Sequence, residues 1–129
     1  MDLNKYFKEV KGTGVLATAD NQGRVDVAVY ARPHVMDPET VAFIMPDRLT
    51  HHNLQSNNHA AYLFMEQGAG YKGVRLLLTK MREETEGDLI KAIRQGKYGA
   101  ECGEEEHCFF LVYFKVDKVL PLIGAEKKL

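Results

Sequence analysis

The stretch Val41–Asn57, VAFIMPDRLTHHNLQSN, constrains the chain more than any other. Val41, Ala42, Phe43, Ile44 and Met45 form an apolar run that reads as a buried strand and halts at Pro46 and Asp47. Proline has no N–H to give a sheet ladder, so the strand ends there or lies on an edge. Arg48 follows, and then Thr50, the predicted N-cap of a short polar helix running through Leu54. The first N–H groups of such a helix have no acceptor inside it, and its dipole is positive at that end. An adjacent guanidinium can grip phosphate oxygens with paired hydrogen bonds. Asn53, one turn in, offers a further side-chain donor. The alternative is that Thr50 only caps a surface helix and Arg48 is solvated; the flanking segments bear on the choice.

Leu3, Tyr6, Phe7 and Val10 recur at i, i+3, i+4 and i+7, one face of an N-terminal helix with Asp2 as its cap and Gly12 beyond its end. Val15–Ala19 reads as a strand, and Asp20-Asn-Gln-Gly23 as a hairpin turn. Arg24–Ala31 alternates, with Val25, Val27 and Val29 on one side and Asp26, Ala28 and Tyr30 on the other. Pro33 interrupts it, and Asp37–Thr40 is a second turn. Ala60–Met65, Val74–Met81 and Cys108–Val116 read as further strands, with Val119–Ile123 extending or packing the last. Asp88 caps a third helix ending at Gly96, and Lys97–His107, with Glu104–Glu106 in a row, reads as an acidic solvated loop. Some six strands joined by turns rather than helical crossovers predict a mainly β fold, a closed or split antiparallel barrel with short helices. The 129 residues suffice for one domain, 1–129, with a single core.

Charge and composition remove several classes of function. A net charge of −1 gives no field to gather nucleic acid or an acidic membrane. No apolar run approaches the ~20 residues that span a bilayer, and the amphipathic N-terminus lacks an export signal core. Cys102 and Cys108 make a poor disulfide framework, so the expectation is a cytoplasmic protein with reduced thiols. No metal site is expected: His51 and His52 point about 100° apart on a helix, and Cys102, His107 and Cys108 match no common zinc spacing. The glycines of Gln67–Gly73 lack Walker spacing, and no nucleophile elbow surrounds Ser56. What survives is the anion site at Arg48–Asn53 beside the alternating strand. A flat ligand lying along the Ala28–Tyr30 backbone would put its phosphate at the helix start.

From about Tyr6 to Asp117 the chain resembles the FMN-binding split barrels, the superfamily of pyridoxamine 5′-phosphate oxidase and small FMN-binding proteins. The segments that carry the likeness are GVLATADNQGRVDVAVY, VAFIMPDRLTHHNLQSNNHAAYLF and GVRLLLTK. The middle one is the specific one, with Asn53-Leu54 and the asparagine-rich turn before Ala60. The resemblance implies a six-stranded antiparallel split barrel and a homodimer binding two FMN at its interface. It implies that Ala28, Val29 and Tyr30 meet the isoalloxazine ring through their backbone, with Met45 and Pro46 at its polar edge. Arg48, Thr50 and Asn53 would hold the phosphate, Leu49 and His51 would offer backbone N–H groups, and Tyr71–Arg75 or the C-terminal strand of a second copy would complete the site. Two departures stand out. Where many relatives carry an Arg-Lys pair, this chain has Leu49-Thr50, with Arg48 one place earlier. It also ends LPLIGAEKKL, without the arginine-containing motif that binds substrate in pyridoxamine phosphate oxidases, so that activity is not carried over.

The resemblance therefore implies a flavin-dependent oxidoreductase passing hydride or electrons between NAD(P)H or another small donor and an acceptor of unknown identity. Tyr30 and His51 are the side-chain donors nearest the expected ring. Two alternatives remain open at this point: a non-catalytic flavin binder acting as electron carrier, store or sensor, and a barrel that holds haem or a deazaflavin.

Overall fold

Asp2 caps the first helix, its carboxylate accepting from the Lys5 N–H at 3.1 Å, and α1 (Leu3–Glu9) buries Leu3 and Phe7. This is the face that the sequence period predicts. Arg32 closes the far end of α1, donating to the Phe7 and Val10 carbonyls at 2.8 and 2.9 Å. The computed structural model describes residues 1–85 and 109–124. The third predicted helix, the Glu104–Glu106 run and the Cys102–His107–Cys108 group lie outside the described residues.

The remaining elements are β1 (Gly12–Ala19), β2 (Val25–Val29), β3 (His34–Asp37), β4 (Thr40–Pro46), α2 (Leu49–Ser56), β5 (His59–Glu66), β6 (Gly73–Glu84) and β7 (Phe109–Pro121). The strands form one antiparallel sheet in the order β2-β1-β5-β6-β7-β4-β3. The fold class is therefore the expected split barrel, with seven strands among the described residues rather than six. The extra strand, β3, lies between Pro33 and Pro38 and is too short to show a period of two. Among the described residues it pairs with β4 alone, through a register shift between Val35 and Asp37.

The shortness of β3 shapes the molecule. It covers β4 only from Thr40 to Ala42, while β7 lines the other side of β4 as far as Pro46. Among the described residues nothing else pairs with the Phe43–Pro46 edge, which faces β2, the opposite end of the sheet. Inside the curl, Phe7, Phe43, Tyr62, Phe64 and Phe114 meet in a chain of tilted and edge-to-face contacts, with ring centroids 4.9–6.3 Å apart. Leu16, Met45, Leu54, Leu76 and Leu78 fill the space around them.

The valines of β2 alternate as expected but face outward. Val25, Val27 and Val29 are 82%, 66% and 76% exposed, and the half-buried side chains of β2 are Asp26 and Ala28. Ladder register sets Val29 and Val27 beside Val15 and Ala17 of β1, then Leu63 and Ala61 of β5, then Leu77 of β6. The barrel thus carries an apolar stripe four strands wide on its outer face. Among the described residues, no helix is long and apolar enough to cross a membrane.

Candidate functional site

Where β4 stops, the backbone of Arg48 is extended, its N–H turns back to the Pro46 carbonyl at 2.9 Å, and its own carbonyl accepts from His52 at 2.9 Å. Arg48, not Thr50, is therefore the N-cap, and it caps without a side-chain hydrogen bond. The tight return onto Pro46 starts the helix two residues earlier than the Thr50 hydroxyl suggests, and α2 runs on to Ser56. The N–H groups of Leu49, Thr50 and His51 form its first turn and have no acceptor within it. Thr50 is 3% exposed, and its hydroxyl has no hydrogen-bond partner among the described residues. Arg48 is exposed and free of ion pairs among the described residues.

This helix start closes one end of a groove of about 410 Å³ between β2 and the open edge of β4. Asp26 to Ala31 line one side, Ile44 and Pro46 the other, and Arg48, Leu49 and Thr50 the end. The volume lies in the range of small-molecule sites. A larger groove of about 550 Å³ lies at the Gly12, Met65–Gly68 and Gly70–Tyr71 end of the barrel. Among the described residues its one ionisable group besides tyrosine is the Glu66 carboxylate, with no helix start or cation, which makes it a poor host for an anion.

The register shows which backbone groups of β2 can meet a ligand. The Tyr30 N–H donates to the Gly14 carbonyl at 3.0 Å, which makes that facing pair a hydrogen-bonded one. In an antiparallel ladder such pairs alternate, so Ala28 and Asp26 also spend their N–H and C=O on β1, whereas those of Val27 and Val29 project from the edge that no other described strand pairs. The Tyr30 carbonyl accepts from the buried Tyr62 hydroxyl at 3.0 Å. Burial pushes the Tyr62 pKa well above the usual tyrosine range, more than nearby Arg32 draws it down, so the hydroxyl stays protonated to donate.

Of the residues singled out in the sequence, Ala28, Val29, Tyr30, Pro46, Arg48, Leu49 and Thr50 meet in this one groove. The side chains of Met45, His51 and Asn53 are placed elsewhere. Met45 is fully buried in the core, because the pleat turns Ile44 and Pro46 to the groove and Met45 away from it. Asn53 is buried and donates to the Thr18 hydroxyl at 3.1 Å, tying α2 to β1. The His51 ring stacks on Phe110 at 3.8 Å, with Nδ1 3.1 Å from Asp47 and Nε2 2.9 Å from Glu83. Ile44, Asp26 and Val27 also line the groove and were not singled out in the sequence. The period of two could have found the first two, since Ile44 shares a face with Pro46 and Asp26 with Ala28.

Glu83 anchors the helix start to β6. It accepts from Gln55 at 3.0 Å and from Lys80 at 2.7 Å as well as contacting His51. Burial pushes its carboxyl up, but the hydrogen bonds from Gln55, Lys80 and His51 outweigh that and hold it at about 2. A carboxyl depressed in the folded state stabilises the fold above its unfolded pKa, and that contribution is lost as pH falls from about 4.5 toward 2. Glu83→Gln should therefore cost about 1–3 kcal/mol at pH 7, with the gap to wild type closing below pH 4 in thermal melts. A gap independent of pH would mean that the carboxylate charge plays no part.

No protein-family model matches the chain, and no curated relative does. Among solved structures, an FMN-binding protein from Syntrophomonas wolfei superposes with a TM-score of 0.74 at 17% identity, covering 97% of this chain and 86% of that one. The haem storage protein HutZ from Vibrio cholerae matches with a TM-score of 0.67 at 19% identity, over 92% of each chain. An F420 reductase matches with a TM-score of 0.68 at 14% identity, over 89% of this chain and 94% of that one. At these identities the likeness is one of fold, and the groove lies where the curled sheet leaves its seam open. The chain has the split-barrel fold of the FMN-binding and pyridoxamine 5′-phosphate oxidase-like proteins.

Proposed function

We propose that the groove binds FMN and that the protein is a homodimeric, cytoplasmic, FMN-dependent oxidoreductase fed by NAD(P)H or another small donor. The observation that carries the cofactor reading is the meeting of three groups at one end of the groove. These are the Arg48 guanidinium and the Thr50 hydroxyl, neither of which has a partner among the described residues, and the open N–H groups of Leu49, Thr50 and His51. Together they offer a phosphate a fork, a hydroxyl and the positive end of a helix. Farther along, Ala28 leaves room for a ring to approach the chain, the edge groups of Val27 and Val29 can pair with its polar rim, and Ile44 and Pro46 supply an apolar wall. Met45 backs that wall from the core. His51 and Asn53 serve this reading by position, through the bonds that fix α2 against β6 and β1. When bound, FMN supplies hydride or single-electron transfer through its ring, and the protein supplies binding and orientation.

The outer apolar stripe supports the dimer. Side chains as exposed as Val25, Val27 and Val29, continuous with Leu63 and Leu77, are costly to leave in water over such a width. A second copy on this face would bring further groups to an open groove. Leu63→Lys should convert the dimer to a monomer in sedimentation velocity while leaving the circular dichroism spectrum intact. A dimer that survives this change would clear the stripe of the role.

One observation favours a second reading, a non-catalytic flavin carrier, store or sensor. The groove lining holds no histidine, cysteine or lysine among the described residues. Steady-state assays decide between them: saturable NAD(P)H oxidation by the FMN-loaded protein supports the enzyme, and bound flavin that neither nucleotide reduces supports the carrier.

A further inference from the structure

Asp26 is the acidic side chain in the groove's lining. It is half-buried, shares the inward face of β2 with Ala28, and has no hydrogen bond or ion pair among the described residues. A carboxylate has only acceptors to offer. At about 4 Å from a phosphate, it would weaken binding by roughly a thousandfold at an effective dielectric near 20. Left unsatisfied inside a closed complex, it would also keep its desolvation penalty. The groove is therefore built for a ligand that brings an anion to Arg48 and Thr50 and hydroxyl donors to a neighbouring position. We infer that Asp26 selects a phosphorylated polyol chain, accepting hydrogen bonds from hydroxyls that link the ring to the phosphate.

This inference rests on the FMN reading and goes beyond it, because it assigns the selectivity to one side chain. A ligand whose anionic groups are joined to its ring by plain hydrocarbon, as in haem, gains nothing from Asp26 and is repelled by it. A flat ring without the chain does not reach it.

The test is fluorescence titration of wild type and Asp26→Ala with three probes: FMN, riboflavin, which lacks the phosphate, and lumiflavin, which lacks the polyol chain. Removing the carboxylate should weaken FMN and riboflavin by about tenfold each and leave lumiflavin unchanged. Asp26→Asn, which keeps one acceptor oxygen, should recover part of the loss. FMN binding that is unaltered or tighter in Asp26→Ala overturns the inference, as does an equal loss for lumiflavin. Wild type that takes up no FMN overturns the cofactor reading itself, so the two failures separate in the same experiment.

Discussion

Arg48→Ala is expected to weaken FMN binding by about 1.5–3 kcal/mol, some 10- to 150-fold, the range of a charge-assisted hydrogen bond. Arg48 is the groove's one cationic side chain among the described residues. It sits at the N-cap with its guanidinium free among the described residues, so under the proposed reading its loss would remove a contact to the phosphate and break no bond among those residues. The melting temperature of the apoprotein should stay within a degree or two of wild type. Riboflavin affinity should also stay unchanged, because the loss is confined to the phosphate. Isothermal titration with both ligands checks this, and unchanged FMN affinity would remove Arg48 from the site.

The second large effect concerns a residue outside the groove lining. A Cβ on Gly14 would lie 1.8 Å from the Tyr62 hydroxyl oxygen and 2.6 Å from the Tyr30 carbonyl oxygen. Tyr62 is fully buried among Phe7, Phe43 and Phe64, so its ring has no room to withdraw. Gly14→Ala must therefore push β1 off β5 or break the Tyr62–Tyr30 hydrogen bond at the groove's edge. A destabilisation of about 2–4 kcal/mol is expected from overpacking plus the lost bond, read as a lower urea midpoint with an unchanged slope. Adding Tyr62→Phe should restore part of the stability, since it removes the clashing oxygen, so the double variant should lose less than the sum of the two single ones. Strict additivity would place the strain elsewhere.

Local chemistry made much of this fold legible in the sequence. The α1 face follows from one period, and the Val41–Met45 strand and its stop from an apolar run and a proline. The closed end of the groove follows from the same segment, because a strand that halts before an arginine and a helix leaves the first turn of that helix at the end of the sheet. Long-range pairing was not legible. Four residues between prolines give no hint that they will pair with β4, and only that pairing shows how much of the β4 edge stays open. The alternation of Val25–Tyr30 likewise gives two faces without saying which is inward; the valines face outward because the inner side of β2 lies against α2 and the groove, where Asp26 and Ala28 are. His51 and Asn53 show the same limit. Their spacing puts them one and three residues past Thr50, inside the segment read as an anion site, but their partners Glu83 and Thr18 lie 32 and 35 residues away.

The most direct test of the central claim is the absorption spectrum of the purified protein after incubation with FMN and removal of the excess, with the chromophore released by heat and identified by mass. The account predicts the two-banded yellow spectrum of a flavin and the mass of FMN, in a ratio of one per chain. A protein that stays colourless, or that takes up haem and refuses FMN, would contradict it, and the first turn of α2 would then be an ordinary helix start at the mouth of a split barrel.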